Sequence, residues 1–267
     1  MYGQSADDSA QKGALKSQFA NRNPLGYFIA SMLAGLYVGL GIVLIFSVGA
    51  PFALAGHPAG KLVMGASFGL ALVLVVFAGS ELFTGNAMFM TFACLRRKAT
   101  PGALAKVWIL SWCGNLAGAL LLAWVVVASG SVAAAAPFIE KTVMAKMSAS
   151  PWVLVGRGLL CNLLVCLAIW TANRTRSDAA KILLIAWCLL GFIGSGFEHS
   201  IANMTLLALG VLSPSAAGVG WGGYGYNLLW VTIGNVLGAV LLAGAYHVIM
   251  PVRPEDATVS ELSKEAA

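Results

Sequence analysis

Six apolar stretches, each long enough to cross a lipid bilayer, constrain this chain more than any other feature. They lie near residues 27–49, 62–94, 107–129, 151–172, 182–212 and 226–250. A transmembrane helix needs about 20 predominantly apolar residues. Hydrophobic residues make up 59% of the chain, charged residues 10%, and the mean hydropathy of +0.85 exceeds that of water-soluble domains. We therefore predict an all-α membrane protein with six transmembrane helices.

The two ends of the chain are polar. Residues 1–20 and 252–267 are rich in Ala, Ser, Asp and Glu, which predicts solvated tails rather than folded domains. We assign these tails to residues 1–22 and 251–267, and the six-span channel domain to residues 23–250. The first apolar stretch lacks a small-residue cleavage site, so we interpret it as a transmembrane helix and not as a cleaved signal peptide.

The basic residues follow the order of the loops. The net charge of +6 alone would also fit a nucleic-acid-binding protein. However, twelve of the sixteen basic residues flank the spans on one side: Lys12, Lys16, Arg22, Arg96, Arg97, Lys98, Lys106, Arg174, Arg176, Lys181, Arg253 and Lys264. Positive charge marks cytoplasmic loops. The pattern therefore predicts a multi-pass protein of the cell (inner) membrane with both termini in the cytoplasm, and no nucleic-acid partner.

Cysteine and histidine patterns predict neither a metal site nor a cofactor. All five cysteines fall in apolar segments without a Cys-x-x-Cys spacing, and His57, His199 and His247 are scattered along the chain. The cysteines are interpreted as small core residues.

Two pairs of matching segments indicate an internal repeat. The segment 114–123 matches 234–243 at an offset of 120, and Glu81-Leu-Phe-Thr-Gly-Asn86 matches Glu198-His-Ser-Ile-Ala-Asn203 at an offset of 117. Each half contains three predicted spans, so the second half enters the membrane from the opposite face. The sequence thus predicts two inverted three-helix repeats.

The second and fifth apolar stretches are too long for simple spans. Each has a Glu-x-x-x-x-Asn segment in its interior, preceded by small residues at 78–80 (Ala-Gly-Ser) or 194–196 (Gly-Ser-Gly). Small residues permit irregular backbone, so helices 2 and 5 are predicted to be broken at these points. Irregular backbone at membrane depth must line a cavity or be buried in protein.

Glu81 and Glu198 are the only carboxylates inside the apolar stretches. Such groups are costly in a bilayer and must be stabilised. In the interpretation that we prefer, each supports its broken helix by accepting hydrogen bonds from freed backbone amides. A proton relay is the alternative.

His199 is the only histidine in the interior of a span, since His57 and His247 lie at or near span ends, and Leu82 takes its place in the first repeat. The repeat therefore does not require an imidazole, which favours a functional role over that of a buried structural histidine. An imidazole could neutralise a weak-acid anion or pass it a proton. Glu198, Ser200 and Thr84 near His199 would suit a hydrolase, but no motif of such enzymes is present, so we do not predict an enzyme.

Several other side chains near the repeated segments have two interpretations. Apolar residues there could narrow a pore or simply fill the core, and their spacing does not separate the two. Lys146 and Arg157 could form a basic vestibule that concentrates anions, or they could extend to the lipid headgroups.

Four motifs, together with Asn23-Pro-Leu-Gly26, resemble those of the formate/nitrite transporter family over residues 23 to about 246. They are Gly79-Ser-Glu-Leu-Phe-Thr-Gly-Asn86, Cys161-Asn-Leu-Leu-Val-Cys-Leu-Ala-Ile-Trp170, Gly196-Phe-Glu-His-Ser-Ile-Ala-Asn-Met204 and Gly234-Asn235. Similarity is greatest to the nitrite-channel branch. The resemblance implies an aquaporin-like six-helix fold and a homopentamer in membrane lipid, with one pore in each protomer.

The resemblance also implies roles for individual residues. His199 would be the central pore histidine and Thr84 its partner, with Asn162 and Asn203 as polar pore groups and Lys146 as the vestibule lysine. Leu82, Phe83 and Val165 would form an inner constriction, and Phe68, Leu72 and Phe192 an outer one. Arg157 would stand at a position where the nitrite branch has a lysine, and would keep the positive charge of that lysine.

The expected function is conduction of a small monovalent anion. The branch favours nitrite, with formate or hydrosulfide as other substrates. A channel for neutral solutes, of the aquaporin type, is the alternative. Two Asn-Pro-Ala signatures would favour it, but the chain has Asn86-Ala-Met and Asn203-Met-Thr.

Overall fold

A computed structural model describes residues 3–213 and 218–250 of this protein, and all regular structure in them is helical. The helices are α1 (Gly3–Arg22), α2 (Pro24–Leu54), α3 (Gly60–Ser67), α4 (Gly69–Leu74), α5 (Phe83–Leu95), α6 (Pro101–Ala128), α7 (Ala136–Met147), α8 (Pro151–Ala172), α9 (Asp178–Ser195), α10 (Ser200–Leu212) and α11 (Trp221–Ile249). Within these residues, six segments are long and apolar enough to cross a membrane: α2, residues Gly60–Gly79, α6, α8, α9 and α11. The six predicted spans are confirmed.

Local sequence signals set where several spans begin. Asn23 precedes α2 and its side chain accepts a hydrogen bond from the amide of Gly26, while Thr100 does the same for Ala103 at the start of α6. Proline occupies the first turn of α2, α6 and α8, where its missing N–H costs nothing.

Both predicted helix breaks are present. The second span runs through α3, α4 and a π-turn at Val75–Gly79, and α5 begins only at Phe83. The fifth span ends with α9, and α10 begins at Ser200. Gly79 (φ +79°) and Gly196 (φ +72°) adopt left-handed conformations that favour glycine. Because α5 and α10 have 13 residues each, each is about 20 Å long and too short to cross the hydrocarbon core.

The two repeated glycine segments make equivalent close helix contacts. A Cβ atom at Gly118 of α6 would collide with the Met32 carbonyl of α2, and one at Gly238 of α11 would collide with the Leu159 carbonyl of α8. Small residues allow the backbones of membrane helices to approach this closely. The repeat is therefore visible as a pair of matched helix contacts, while the inverted orientation of the halves stays a prediction.

The N-terminal segment is not a solvated tail, and that prediction is wrong for residues Gly3–Arg22. They form α1, which lies along α5 and buries Ala6, Ala10 and Ala20. Gly13 sits directly on the backbone of Phe89. Small residues on one face bring α1 close to α5 although its other faces are polar, which is why composition alone suggested a tail. The predicted C-terminal tail, 251–267, lies outside the described residues.

Candidate functional site

His199 is the residue at which the two helix breaks meet. It precedes α10, and its Nδ1 accepts a hydrogen bond from the Ala202 amide at 3.1 Å. Its Nε2 lies 3.0 Å from the Thr84 hydroxyl, in the first turn of α5. Since Nδ1 is an acceptor, the neutral ring carries its proton on Nε2, which donates to Thr84. The predicted pairing of His199 with Thr84 is thus present in the geometry.

A wide cavity, here called the vestibule, opens on one side of His199. Its volume is about 270 Å³, and its walls include Lys146 of α7, Arg157 of α8, and Glu198 and Asn203 beside the fifth-span break. Apolar side chains of α2, α3, α9 and α10 form most of the remaining wall. The vestibule is therefore a largely apolar cavity that carries a few charged and polar groups and that His199 helps to line.

A second, narrow apolar cavity, here called the constriction, is also lined by the imidazole. Its volume is about 10 Å³, close to the minimum needed for one water molecule. His199 and Phe192 are the two residues that line both cavities. Five predicted constriction residues meet in this wall: Phe68, Leu72, Leu82, Val165 and Phe192.

Residues of both predicted constrictions line this cavity, and the rings of Phe68 and Phe192 touch edge to face with their centroids 5.4 Å apart. Phe83 does not join them. It is buried, and its ring packs against Trp108 of α6 with the ring centroids 6.3 Å apart.

Glu198 is held by side chains. Its Oε2 accepts hydrogen bonds from Lys146 Nζ at 2.6 Å and from Asn203 Nδ2 at 2.7 Å. Asn203 Nδ2 also donates to Asn227 of α11 at 2.8 Å. The lysine thus neutralises a carboxylate that lies almost fully buried beside the break.

Glu81 has the same arrangement in the first half of the chain. Its Oε2 accepts from Lys16 Nζ at 2.7 Å, from Asn86 Nδ2 at 2.9 Å and from the Tyr27 hydroxyl at 3.0 Å. Lys16 belongs to α1, so the N-terminal helix supplies the cation here. The predicted bonds from freed backbone amides to Glu81 and Glu198 are therefore wrong: the donors shown are side chains.

Two asparagines for which no role was predicted satisfy the broken backbone. Asn115 of α6 accepts from the Phe83 amide, and Asn235 of α11 accepts from the Ser200 amide. Both are buried. Their signal was present in the repeat, where each is the second residue of a matching ten-residue segment.

Of the two predicted polar pore residues Asn203 and Asn162, one lines a cavity and the other supports the backbone behind it. Asn203 lines the vestibule. Asn162 lies behind Thr84: its Nδ2 donates to the Thr84 carbonyl at 3.3 Å and to the Asn235 carbonyl at 2.7 Å, and it lines neither cavity. Within residues 3–213 and 218–250, no three His, Cys, Asp or Glu side chains come together as a metal site would require.

Comparison with known proteins places this arrangement in a family. A family model described as Formate/nitrite transporter matches residues 4–249. The chain belongs to the formate/nitrite transporter family. This family member is 44% identical to the nitrite transporter NirC of Escherichia coli (strain K12) over 257 residues, which cover 94% of this chain and 93% of that protein.

Solved structures agree with this membership. The chain is similar to the structure of an FNT family ion channel, with a TM-score of 0.87, 42% identity, and coverage of 93% of this chain and 99% of the other. It is also similar to a pentameric formate channel with formate bound, at a TM-score of 0.71, 26% identity, and coverage of 90% and 98%. This formate/nitrite transporter family member is thus a multi-pass membrane transport protein and not an enzyme.

Proposed function

We propose that this protein conducts a small monovalent anion through a pore in each protomer. Nitrite is the preferred substrate in this proposal, and formate or hydrosulfide are other substrates. The similarity to a nitrite transporter and to a formate channel supports this substrate class. Because that formate channel is pentameric, the similarity also supports a homopentamer. We further propose that the protein resides in the inner membrane, in contact with lipid, with both termini in the cytoplasm.

One observation carries the proposal: His199 lines both a vestibule that contains charged side chains and a narrow apolar constriction. An anion that leaves the vestibule loses most of its water, and this loss is costly unless protein groups replace it. The Nε2–H of His199 donates to the Thr84 hydroxyl in the structure, which orients the ring, and an anion at this point would share or take over that hydrogen bond.

The short helices add a second favourable contribution. Both α5 and α10 begin beside the His199–Thr84 pair, so their N-terminal ends lie near the path. The N-terminus of a helix carries partial positive charge and stabilises nearby anions. An anion at His199 is therefore favoured by a donor and by two helix ends. From there it crosses the constriction either as the anion or after accepting a proton.

The test is anion flux into proteoliposomes for the wild type and for His199→Asn. An asparagine at this N-cap position keeps an acceptor for the Ala202 amide but removes the Nε2 donor. We expect the flux of nitrite and formate to fall by about tenfold or more, because the variant loses a hydrogen bond to a charged solute and such a bond contributes about 1.5–3 kcal/mol. His57→Asn makes the same chemical change in an exposed loop and should leave the flux unchanged.

Two outcomes would contradict the proposal. Equal anion flux in the wild type and in His199→Asn would remove the role of His199. Fast water or urea flux without anion flux would favour the neutral-solute channel instead. Repeating the assay at several pH values separates the two forms of permeation, because transfer of a proton makes nitrite uptake depend on the proton gradient whereas hydrogen bonding alone does not.

A further inference from the structure

The net positive charge of the vestibule is not provided by Lys146. Among the described residues, four ionisable side chains line this cavity: Lys146, Arg157, Glu198 and His199. The ammonium of Lys146 lies 2.6 Å from the Glu198 carboxylate, so the two charges cancel. The neutral tautomer of His199 adds none. Of these four side chains, Arg157 alone contributes a charge that no group in the vestibule compensates.

Arg157 lies next to the fifth-span break. Its backbone carbonyl accepts a hydrogen bond from the Glu198 amide at 3.2 Å, which fixes its place on α8 beside the break. The side chain is exposed and lines the vestibule. Within the part of the chain that the structure describes, no hydrogen bond or ion pair engages its guanidinium. Its five N–H donors are therefore available to a solute.

We propose that Arg157 gathers anions in the vestibule and favours planar anions with two oxygens, while Lys146 positions Glu198. This inference rests on the proposed function. An uncompensated charge between apolar walls raises the local concentration of counter-ions. A guanidinium also matches a pair of oxygens with a pair of N–H groups, which an ammonium does not. Nitrite and formate have such a pair of oxygens, and hydrosulfide does not.

The test measures initial anion influx against concentration for the wild type, Arg157→Gln and Arg157→Lys. For Arg157→Gln we expect the half-saturating nitrite concentration to rise about three- to tenfold with the maximal rate unchanged, because the charge acts on local concentration. Wild-type influx at low nitrite should fall between about 0.02 and 0.3 M ionic strength, and that of Arg157→Gln should not. Arg157→Lys should keep the salt dependence but lose preference for nitrite over hydrosulfide.

Lys141→Gln is the matched control, since it removes an exposed cation of α7 that does not line the vestibule. It should leave both kinetic parameters unchanged. Equal half-saturation and equal salt dependence in the wild type and Arg157→Gln would overturn the inference and leave the proposed function intact. Absence of anion influx through the wild type would instead overturn the proposed function, and the inference with it. Equal elution volumes and thermal stabilities of the variants establish that each is folded.

Discussion

Asn115 and Asn235 hold the two helix breaks with the same three hydrogen bonds. Asn115 accepts from the Phe83 amide at 2.9 Å and donates to the carbonyls of Ser31 and Glu81 at 2.7 and 3.0 Å. Asn235 accepts from the Ser200 amide at 2.8 Å and donates to the carbonyls of Gly158 and Glu198 at 2.8 and 2.9 Å. Each side chain joins a broken span to two neighbours.

Replacement of Asn235 by Leu should strongly destabilise the protein. It leaves one amide and two carbonyls without partners at a buried site, and each unsatisfied group costs about 1–3 kcal/mol. We expect a loss of about 3 kcal/mol or more in the free energy of unfolding, measured as thermal or denaturant unfolding in detergent. Asn21→Leu, at an exposed site, is the control, and equal loss there would contradict the prediction.

The ion pair of Lys146 with Glu198 should show strong coupling in a double-mutant cycle. Lys146→Met leaves a buried carboxylate uncompensated, which costs about 3–5 kcal/mol. The double variant Lys146→Met/Glu198→Gln should recover much of this stability, because the unpaired charge is gone. The exposed pair Lys181 and Asp178 should show coupling below about 1 kcal/mol. Additive effects at Lys146 and Glu198 would contradict this prediction.

Thr84→Val should reduce anion flux while preserving the fold. Valine has nearly the same shape but cannot accept the hydrogen bond from His199 Nε2. A hydrogen bond of about 1 kcal/mol corresponds to a reduction of about fivefold, which influx into proteoliposomes would measure. Thr84→Ser retains the hydroxyl and should retain most of the flux. Equal losses in both variants would point to packing rather than to the hydrogen bond.

Phe68→Ala should widen the constriction and weaken its selectivity. The ring lines the cavity and touches Phe192 edge to face. Its removal opens space in a cavity that holds about one water molecule, so larger monocarboxylates such as acetate should enter faster relative to formate. Phe77→Ala, which removes an exposed ring of the same span, is the control and should leave the ratio unchanged. An unchanged acetate-to-formate ratio in Phe68→Ala would place the selecting step elsewhere.

Two glycines of α11 should respond in opposite directions to alanine. Gly238 lies against the backbone of α8, whereas nothing lies within 4 Å of a Cβ atom at Gly244. Gly244→Ala should stabilise the protein by about 0.5–1 kcal/mol through helix propensity. Gly238→Ala should destabilise it by about 1–3 kcal/mol, because α8 must move away. Equal unfolding temperatures for the two variants would show that the helix contact is not tightly packed.

The number of spans, the two breaks and the family motifs were evident from the sequence. These features are local, because a bilayer requires a fixed length of apolar helix and irregular backbone requires small residues at the break. His199 was also identified from the sequence, since it occupies a place in the repeat that Leu82 fills in the other half.

The partners of the polar groups were decided by the tertiary structure. Lys16 is 65 residues from Glu81, so this pairing does not follow from local sequence, and the pairing of Thr84 with His199, 115 residues apart, was implied by the family resemblance alone. The same holds for α1, whose small face is buried only because α5 lies beside it. A carboxylate or a broken backbone in a membrane must find a partner. The sequence by itself determined which groups needed partners, and only the packing of distant helices determined that lysines neutralise the carboxylates and asparagines complete the backbone.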